Sequence, residues 1–498
     1  MTKTIVALDL GTTSCRALVF DLEGRILGQA SRSYPLQTPR PGWVEQNPAV
    51  LLSAADEVVP EAVRRAGVTP PDVLGVVLCT YMHSSIAVGP TGQYLSGMIT
   101  WADTRSAGQV DAVRARGGWF DLYARTGCPP HTMYPLYKFL WMREHEPGLL
   151  VGAHRWASIK ELLIHHWTGQ WALDYNLATG TGLLNCRTLD WDEEALALAG
   201  VRRDQLSQVV SNMATFPLLP GRLGLMAGTP VVAGAGDGVL SSLGCGAIEP
   251  NVVAAMVGTS GAVRACVPEP VADPQARVFC YYLDKHRWIL GGSLNNGGIA
   301  MQWARKVLYP QSKGYGEFEA EAATVKPGAE NLLFLPYLAG ERSPGFNARA
   351  RGVWFGLGLE HERPHMARSV VEAIAYRLYS VLGPIEELTG TAREIRATGG
   401  FARSDLSLQV CADVFGREVA VPAETEGSAL GAFVLGAVAL GVAPDLSWVE
   451  RFVSIDRRVA PDAGRHAVYE ELYGVYRQVY EHLQKDFYTL AAIRERSV

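Results

Sequence analysis

The chain has 498 residues, 48% of them hydrophobic, and 45 Lys and Arg against 50 Asp and Glu, so its net charge is −5. This length is typical of two or three domains, and the apolar share excludes a disordered protein. The mild negative charge argues against nucleic-acid binding as the main function. Glycine is in excess, at 52 residues, which favours many tight turns and close backbone approaches.

The eight cysteines include no Cys-x-x-Cys pair. We therefore expect neither a disulfide framework nor a zinc site, and we predict a cytoplasmic protein. The short apolar run near the N-terminus ends at Asp9, which predicts a strand rather than a signal peptide. The uncharged, Ala- and Gly-rich stretch 427–444 predicts a buried helix in preference to a membrane helix, so no membrane partner is expected.

The first half of the chain, taken in order, mixes strands and helices. It predicts strands at 5–10, 15–21, 25–34 and 72–82, a helix beginning at Asn47 and Pro48, a hairpin turning at Thr91 and Gly92, and a mainly helical segment over 104–225.

The second half repeats this arrangement of strands that stop at Gly- and Thr-rich turns and continue into α/β alternation. It predicts strands at 229–236, 252–257, 394–400 and 417–422, a hairpin over 279–293, and helices from 297, over 365–389, from 404 and over 428–440. The fold class is therefore α/β. We place the domain boundary near 240–255 and predict domains 1–245 and 246–498.

Two turns have the composition of phosphate-binding loops. Asp9 is followed by Gly11, Thr12 and Thr13, and a second turn over 258–261 follows another strand. Backbone N–H groups and hydroxyls at such turns can surround phosphate oxygens, and an adjacent Asp can hold Mg²⁺ through water. Each turn alone could equally be an ordinary hairpin turn, and neither is a Walker A loop.

Two further glycine-rich segments could bring backbone close to a ligand. Asp237 lies among small residues in 234–238, where its carboxylate could act as a general base or could simply be a solvent-exposed loop Asp. The segment 397–404 joins a strand to a helix through a glycine pair, which would admit a flat base or a phosphate.

One apparent metal motif is rejected. His361 and His365 satisfy the pattern His-Glu-x-x-His, which in zinc proteases requires both histidines on one helical face. Pro364 lies between them and would break the helix or mark its start. No metal site is predicted there.

The order of these segments resembles the FGGY family of carbohydrate kinases, within the actin-like ATPase superfamily, over most of the chain. The two family signatures correspond here to Met133-x-Pro135-x-x-Lys138-Phe139-x-Trp141 and to residues 352–372. The resemblance implies two actin-like (ribonuclease H-like) α/β domains with a nucleotide cleft between them. It implies sugar binding and the first phosphate motif in the N-terminal domain, nucleotide binding in the C-terminal domain, and ATP and Mg²⁺ as cofactors.

The resemblance also implies site residues. Asp237 is the expected catalytic base, and Asp9 and Asp237 are the residues expected near Mg²⁺. The expected nucleotide contacts are Gly11, Thr12, Thr13, Gly258, Thr259, Gly298, Gln302, Gly400 and Ser404. Some relatives have Asn at the position of Ser404.

The substrate segments resemble the gluconate kinase branch of the family. The expected sugar-binding residues are Met82, His83, Trp101, Asp103, Arg105 and Asp237. Arg105 could bind a carboxylate with two hydrogen bonds, or it could form a salt bridge with Asp103 that only shapes the loop. Lys138 could be structural or could face the substrate.

The expected reaction is ATP-dependent phosphorylation of a sugar acid, with D-gluconate as the first choice. Xylulose and glycerol are alternative substrates, and a nucleotide-gated binding protein without turnover is the alternative from another class. The sequence leaves the oligomeric state open, with a homodimer as one candidate.

Overall fold

The structure is a computed structural model that describes residues 2–423 and 426–496. The chain divides into two compact units. Unit 1 comprises Met1–Ile248, Val267–Leu290 and Glu426–Val453, and unit 2 comprises Glu249–Cys266, Gly291–Thr425 and Ser454–Val498. Both units therefore draw on more than one segment of the chain.

The strands of the described residues are, in chain order, β1 Thr4–Leu10, β2 Ser14–Asp21, β3 Ile26–Ser33, β4 Glu45–Gln46, β5 Val73–Thr80, β6 Ile86–Val88, β7 Met98–Ile99, β8 Arg155–Ala157, β9 Ala172–Asp174, β10 Leu184–Asn185, β11 Asp190–Trp191, β12 Gln208–Val210, β13 Thr215–Pro217, β14 Pro230–Gly236, β15 Val252–Val257, β16 Gly261–Val267, β17 Phe279–Asp284, β18 Arg287–Leu294, β19 Leu333–Leu335, β20 Val353–Phe355, β21 Glu394–Thr398, β22 Val419–Pro422 and β23 Ile455–Val459.

The α-helices of the described residues are α1 Pro48–Ala66, α2 Ala107–Arg116, α3 Trp119–Thr126, α4 Pro135–His145, α5 Pro147–Gly152, α6 Ile159–Thr168, α7 Tyr175–Thr179, α8 Glu193–Ala199, α9 Asp237–Gly244, α10 Gly298–Leu308, α11 Gly316–Thr324, α12 Arg363–Thr389, α13 Asp405–Phe415, α14 Gly427–Ala439 and α15 Ala463–Arg496. Short 3₁₀ helices lie at Pro70–Asp72, Arg203–Gln205, Ala329–Asn331, Gly400–Arg403 and Leu446–Arg451.

The main sheet of unit 1 has the strand order β13-β14-β5-β1-β2-β3. β1, β2 and β3 form an antiparallel meander, whereas β1, β5 and β14 run parallel. The apolar faces of these strands pack with helix α1 into one buried core. The predicted start of α1 is confirmed, because the Asn47 Oδ1 accepts a hydrogen bond from the Ala49 N–H at 3.0 Å.

The strands of unit 2 repeat this pairing pattern. β15 is antiparallel to β16 and parallel to β21, and β21 is parallel to β22. The sequence β16-β15-β21-β22 thus corresponds to β2-β1-β5-β14 of unit 1. The α/β class and the similarity between the two halves, both predicted from the sequence, are confirmed by this shared topology.

The uncharged stretch near the C-terminus forms the buried helix α14, as predicted. It packs against α9, β1 and β5 within unit 1. A Cβ atom added at Gly431 would lie 2.8 Å from the Leu240 carbonyl carbon of α9, and one at Gly244 would lie 2.6 Å from the Gly427 carbonyl carbon. Part of the glycine excess therefore lets two helices approach backbone to backbone. Within the described ranges, no helix has the length and apolar character needed to cross a membrane.

The predicted hairpin around Thr91 and Gly92 is only partly correct. The chain does turn there, with a left-handed φ of 83° at Gly92, and isolated bridges link the two arms. However, β6 pairs with β8 and β7 pairs with β4. The turn residues predict the reversal, but they carry no information about these distant pairing partners.

Candidate functional site

The carboxyl ends of the parallel strands of unit 1 bring the two predicted acidic residues near each other. Asp9 lies opposite Cys79 on β5, and Ala235 of β14 lies opposite the same cysteine from the other side. β14 ends at Gly236, so Asp237 is the first residue of α9. Burial, together with the negative charges of Asp9 and Asp237, raises the pKa of the Cys79 thiol well above its usual value. The Cys79 thiol therefore stays protonated and unreactive beside the two carboxylates.

Asp9 is buried and firmly held. Its Oδ2 accepts hydrogen bonds from the Arg16 guanidinium and from the Ser428 hydroxyl, both at 2.9 Å. Its Oδ1 accepts a weak bond from the Cys79 thiol at 3.4 Å. Arg16 also binds Glu426 at 2.8 Å. The start of α14 is thus tied to the first phosphate-like turn by two polar contacts.

The turn that follows Asp9 is anchored through its carbonyl oxygens. The Tyr34 hydroxyl donates to the Gly11 carbonyl at 2.6 Å, and the Gln46 side chain donates to the Thr12 carbonyl at 2.8 Å. The Thr12 hydroxyl accepts from the Trp101 indole at 3.0 Å, and Thr13 is exposed. A predicted sugar residue therefore contacts a predicted phosphate residue directly.

Asp237 stands at the N-terminus of α9, and its Oδ1 accepts the Gly238 N–H at 2.7 Å. The preceding Gly236 N–H donates to the buried Asn176 side chain at 2.7 Å. A Cβ at Gly236 would lie 2.5 Å from the Met82 Cγ, so the Met82 side chain covers this glycine. Met82 therefore lies against the residue that immediately precedes Asp237.

His83 adopts an unusual backbone conformation for a residue other than glycine, with φ at 68°. Its Nδ1 lies 2.6 Å from the Gly180 carbonyl oxygen, and its ring meets the edge of Tyr134 with 5.2 Å between centroids. Its own carbonyl oxygen accepts from the Lys138 ammonium at 3.2 Å. Strained backbone of this kind persists only where several contacts fix it, and it is concentrated at functional sites.

Asp103 and Arg105 form a buried ion pair. The Arg105 Nε and Nη2 donate to the Asp103 carboxylate at 2.9 and 2.7 Å, and Nη2 also donates to Glu45 at 2.5 Å. The guanidinium lies 3.6 Å from the Trp43 ring centroid, and the side chain is 3% exposed. The salt bridge that the sequence analysis gave as the structural alternative is therefore present. Asp103 also accepts the Val44 N–H at 2.8 Å.

In unit 2, the second phosphate-like turn meets the start of α10. The Gly298 N–H donates to the Gly258 carbonyl at 2.8 Å, and the Ile299 N–H donates to the Thr259 carbonyl at 3.0 Å. A Cβ at Gly298 would lie 2.5 Å from the Gly258 oxygen, so only glycine fits there. Gly258, Thr259 and Gln302 are exposed.

The glycine pair at the end of β21 lies against the same part of unit 2. A Cβ at Gly399 would lie 2.5 Å from the Val257 carbonyl oxygen, whereas one at Gly400 would have that oxygen as its nearest neighbour at 3.9 Å. Ser404 is buried, and its hydroxyl accepts the Ser407 N–H at 3.2 Å as the cap of α13. The structure thus brings Gly258, Thr259, Gly298 and Gly400 together, while the Ser404 hydroxyl has a structural partner.

The apparent zinc motif folds as a helix start. Pro364 is in the first turn of α12 and His361 precedes the helix. The His361 Nδ1 accepts the Gly358 N–H at 2.8 Å, and the His365 Nδ1 accepts the Glu362 N–H at 3.0 Å. Among residues 2–423 and 426–496, no three His, Cys, Asp or Glu side chains are grouped so that they could hold a metal ion.

Both halves of the chain match one family. Residues 4–244 match the N-terminal domain of the FGGY family of carbohydrate kinases, and residues 253–440 match its C-terminal domain. The chain belongs to the FGGY family of carbohydrate kinases. It is therefore an enzyme that transfers phosphate to a hydroxyl of a small sugar-like molecule, and the family implies ATP as the phosphate donor. The resemblance drawn from the sequence motifs is confirmed.

Three relatives have high similarity over nearly their whole length. A gluconokinase of Bacillus licheniformis is 37% identical over 512 residues, covering 100% of this chain and 99% of that protein. A gluconate kinase of Lactobacillus acidophilus has a TM-score of 0.94 at 35% identity, covering 98% of this chain and 100% of that one. A ligand-bound xylulose kinase of the same species has a TM-score of 0.94 at 34% identity, with the same coverage.

Two residues that hold the site were not found by sequence reasoning. Gln46 anchors the Thr12 carbonyl, and its Oε1 accepts from the Tyr81 hydroxyl at 2.6 Å. Asn176 anchors Gly236 and also donates to the Tyr282 carbonyl at 2.8 Å. Neither lies in a glycine turn or a charged pattern. Asn176 lies between Tyr175 and Leu177, and a polar residue among apolar ones indicates a buried hydrogen-bonding role. Gln46 lies between Glu45 and Asn47, so its neighbours in the sequence gave no such signal.

Proposed function

We propose that this enzyme phosphorylates D-gluconate at its terminal hydroxyl with ATP, giving 6-phospho-D-gluconate. The observation that carries the proposal is the 37% identity, over the full chain, to a relative named gluconokinase. The motifs at Met82 and His83 and over 100–105 agree with it, since they resemble that branch. A cytoplasmic location remains a prediction.

Asp237 is proposed as the general base that takes the proton from the sugar hydroxyl. It is half-buried at the start of α9, beside the small residues 234–236. The Gly238 N–H bond to Oδ1 would orient the carboxylate toward an incoming hydroxyl. A positioned base typically contributes a rate factor of ~10²–10⁴.

Mg²⁺ is proposed to be held mostly by water and phosphate oxygens. This fits the side chains of unit 1, because the Asp9 Oδ2 is already bonded to Arg16 and Ser428, whereas among the described residues Oδ1 accepts only the weak thiol bond. Oδ1 could therefore accept from a water of the hydrated ion, which keeps several waters in most sites. Asp237 is the second proposed residue near the metal. When bound, the ion would neutralise charge on the transferred phosphate.

The nucleotide contacts are proposed in the two turns and their neighbours. Gly11, Thr12 and Thr13 would contact phosphate in unit 1. In unit 2 the proposed set is Gly258, Thr259, Gly298, Gln302, Gly400 and Ser404. Exposed N–H groups and hydroxyls at such turns favour anionic oxygens. The Ser404 hydroxyl would contact the nucleotide only in addition to capping α13. The division into domains 1–245 and 246–498 with these separate roles stays a prediction.

Met82, His83 and Trp101 are proposed to contact the sugar. Asp103 and Arg105 are proposed to act mainly through their ion pair, which stiffens the loop, because their side chains are 0% and 3% exposed. Binding of a carboxylate by Arg105 would require the guanidinium to exchange Asp103 or Glu45 for the substrate. Such an exchange keeps the guanidinium paired with a carboxylate, since one anion replaces another.

D-xylulose is the second candidate substrate, because one structural neighbour with the same TM-score is a xylulose kinase. Steady-state kinetics with D-gluconate, D-xylulose and glycerol at saturating ATP and Mg²⁺ would test the proposal. We expect the highest kcat/KM with D-gluconate and 6-phospho-D-gluconate as product. A KM for gluconate no better than those for the neutral sugars would refute the sugar-acid assignment.

A further inference from the structure

Lys138 is a buried positive charge that the proposed reaction does not use. The side chain of this α4 residue is 0% exposed, and burial lowers the pKa of its ammonium to about 7. A buried charge is costly unless hydrogen bonds compensate it. Here the ammonium donates to two backbone carbonyl oxygens, those of His83 at 3.2 Å and of Thr100.

The two carbonyls belong to the two loops that contain the proposed sugar contacts. His83 is itself one of those contacts, and Thr100 immediately precedes Trp101. The Trp101 indole in turn donates to the Thr12 hydroxyl at 3.0 Å. Direct contacts therefore join the Lys138 ammonium to both sugar loops, and the loop of Thr100 and Trp101 continues to the first phosphate-like turn, all within unit 1.

The backbone conformation of His83 shows why the contact with Lys138 is needed. A left-handed φ on a residue other than glycine is strained, so the conformation relaxes unless its surroundings hold it. The His83 imidazole contacts the Gly180 carbonyl oxygen and its carbonyl binds Lys138. Removing the ammonium would take away one of the restraints on His83 and would free the Thr100 carbonyl at the same time.

We propose that Lys138 is a positioning residue, whose ammonium holds the His83 and Trp101 loops at the separation that the sugar requires. Its role is to align the sugar hydroxyl with the transferred phosphate, without touching either substrate. This inference rests on one part of the proposed function, namely that the enzyme phosphorylates a sugar that binds at these loops of unit 1. It does not depend on which sugar that is.

The test compares Lys138→Met with a matched control. Gln205 is also fully buried in unit 1, and its Nε2 donates to the carbonyls of Leu150 and Ala153 at 3.0 and 2.8 Å. Its Oε1 also accepts the Arg202 N–H at 3.0 Å. Gln205→Met therefore removes both side-chain bonds to carbonyls, and this bond as well, at a place where the hydrogen bonds of the described residues involve none of the proposed sugar contacts. Lys138→Gln, which keeps an N–H donor on a shorter side chain, serves as the conservative variant.

For Lys138→Met we expect the KM of the preferred sugar to rise at least tenfold and kcat to fall at least tenfold. The KM of ATP should stay within twofold of the wild-type value. The sugar KM and kcat of Lys138→Gln should lie between those of the wild-type enzyme and those of Lys138→Met. Gln205→Met should lower the melting temperature without changing the sugar KM. The sugar is whichever one the wild-type enzyme phosphorylates best, so a wrong substrate assignment leaves this test intact.

Three results would overturn the proposal. One is an unchanged sugar KM and kcat in a folded Lys138→Met enzyme. Another is an equal rise in the KM of ATP, and the third is a similar sugar defect in Gln205→Met. If both Lys138 variants fail to fold while Gln205→Met folds, Lys138 is a stability residue and the positioning role is rejected. If the wild-type enzyme phosphorylates no sugar, the proposed function fails before the variants are considered.

Discussion

The contact between α14 and α9 makes a sharp prediction, because α9 begins with the proposed catalytic base. Gly431 of α14 faces the backbone of α9 with no room for a side chain. A Cβ there would lie 2.8 Å from the Leu240 carbonyl carbon and 3.1 Å from the Gly244 nitrogen, and closer still to the Leu240 carbonyl oxygen. Since these are backbone atoms, they cannot turn aside as the end of a flexible side chain can.

The magnitude follows from these distances. Ordinary contact begins near 3.4 Å, so relief of the 2.8 Å approach requires about 0.6 Å of helix separation, and relief of the closer approach to the Leu240 carbonyl oxygen requires more than that. Overpacking of this kind costs ~1–3 kcal/mol, and Ala recovers only ~0.5–1 kcal/mol through its better helix propensity. We expect Gly431→Ala to lose about 1–2 kcal/mol of stability. Because a misplacement of 1 Å can cost a factor of ~10², we expect kcat to fall about tenfold through the shift of Asp237.

Thermal unfolding and steady-state kinetics would measure both effects. Gly474→Ala is the matched control, because Gly474 also lies within a helix, α15, and a Cβ there would meet nothing within 4 Å among the described residues. The control should unfold at an equal or slightly higher temperature and keep its kcat. If Gly431→Ala behaves like Gly474→Ala, the close helix approach does not support the site and the reasoning is wrong.

Three further predictions concern charge and ligand approach. Burial raises the pKa of the Glu161 carboxyl from 4.5 to about 7, so between these pH values the folded state binds more protons than the unfolded state. The stability of the wild-type protein should therefore fall as the pH rises through that window, relative to the stability of Glu161→Gln. Urea unfolding at pH 5 and 7.5 would measure this difference. A Cβ at Gly258 or Gly400 has no close neighbour, so Gly258→Ala and Gly400→Ala should keep the wild-type melting temperature. Because the added methyl would occupy space proposed for the nucleotide, each should raise the KM of ATP at least fivefold. Gly92→Ala, at a left-handed φ of 83°, should instead lower the melting temperature and leave that KM unchanged. Asp237→Asn should lower kcat by ~10²–10⁴, and near-normal turnover in a rapid-quench assay would remove its assignment as base.

Local features of the fold were predictable from the sequence because they depend on neighbouring residues. The strand ends at Leu10 and Gly236, the cap at Asn47 and the helix start at Pro364 all follow from composition over a few positions. Partners that lie far along the chain were not predictable in this way. β6 pairs with β8, some 70 residues later, and the turn at Gly92 contains no signal for that choice.

The candidate site shows the same division. Asp9 and Asp237 could be placed at strand ends from their glycine-rich surroundings. By contrast, Arg105 also binds Glu45 across 60 residues of sequence, and a charge near another charge in sequence does not reveal that it will be buried. Ser428 reaches Asp9 across 419 residues, because a late segment of the chain returns to unit 1. Such contacts depend on topology, which sequence patterns alone leave undetermined.

The central claim is that this kinase acts on a sugar acid in preference to neutral sugars. A competition assay tests it most directly, with equal concentrations of D-gluconate, D-xylulose and glycerol and ATP limiting, and with the phosphorylated products separated by mass. The product ratio equals the ratio of kcat/KM values, because all three substrates compete for one enzyme. We predict that 6-phospho-D-gluconate forms in at least tenfold excess over the other two products. Predominance of xylulose 5-phosphate or glycerol phosphate would contradict the account.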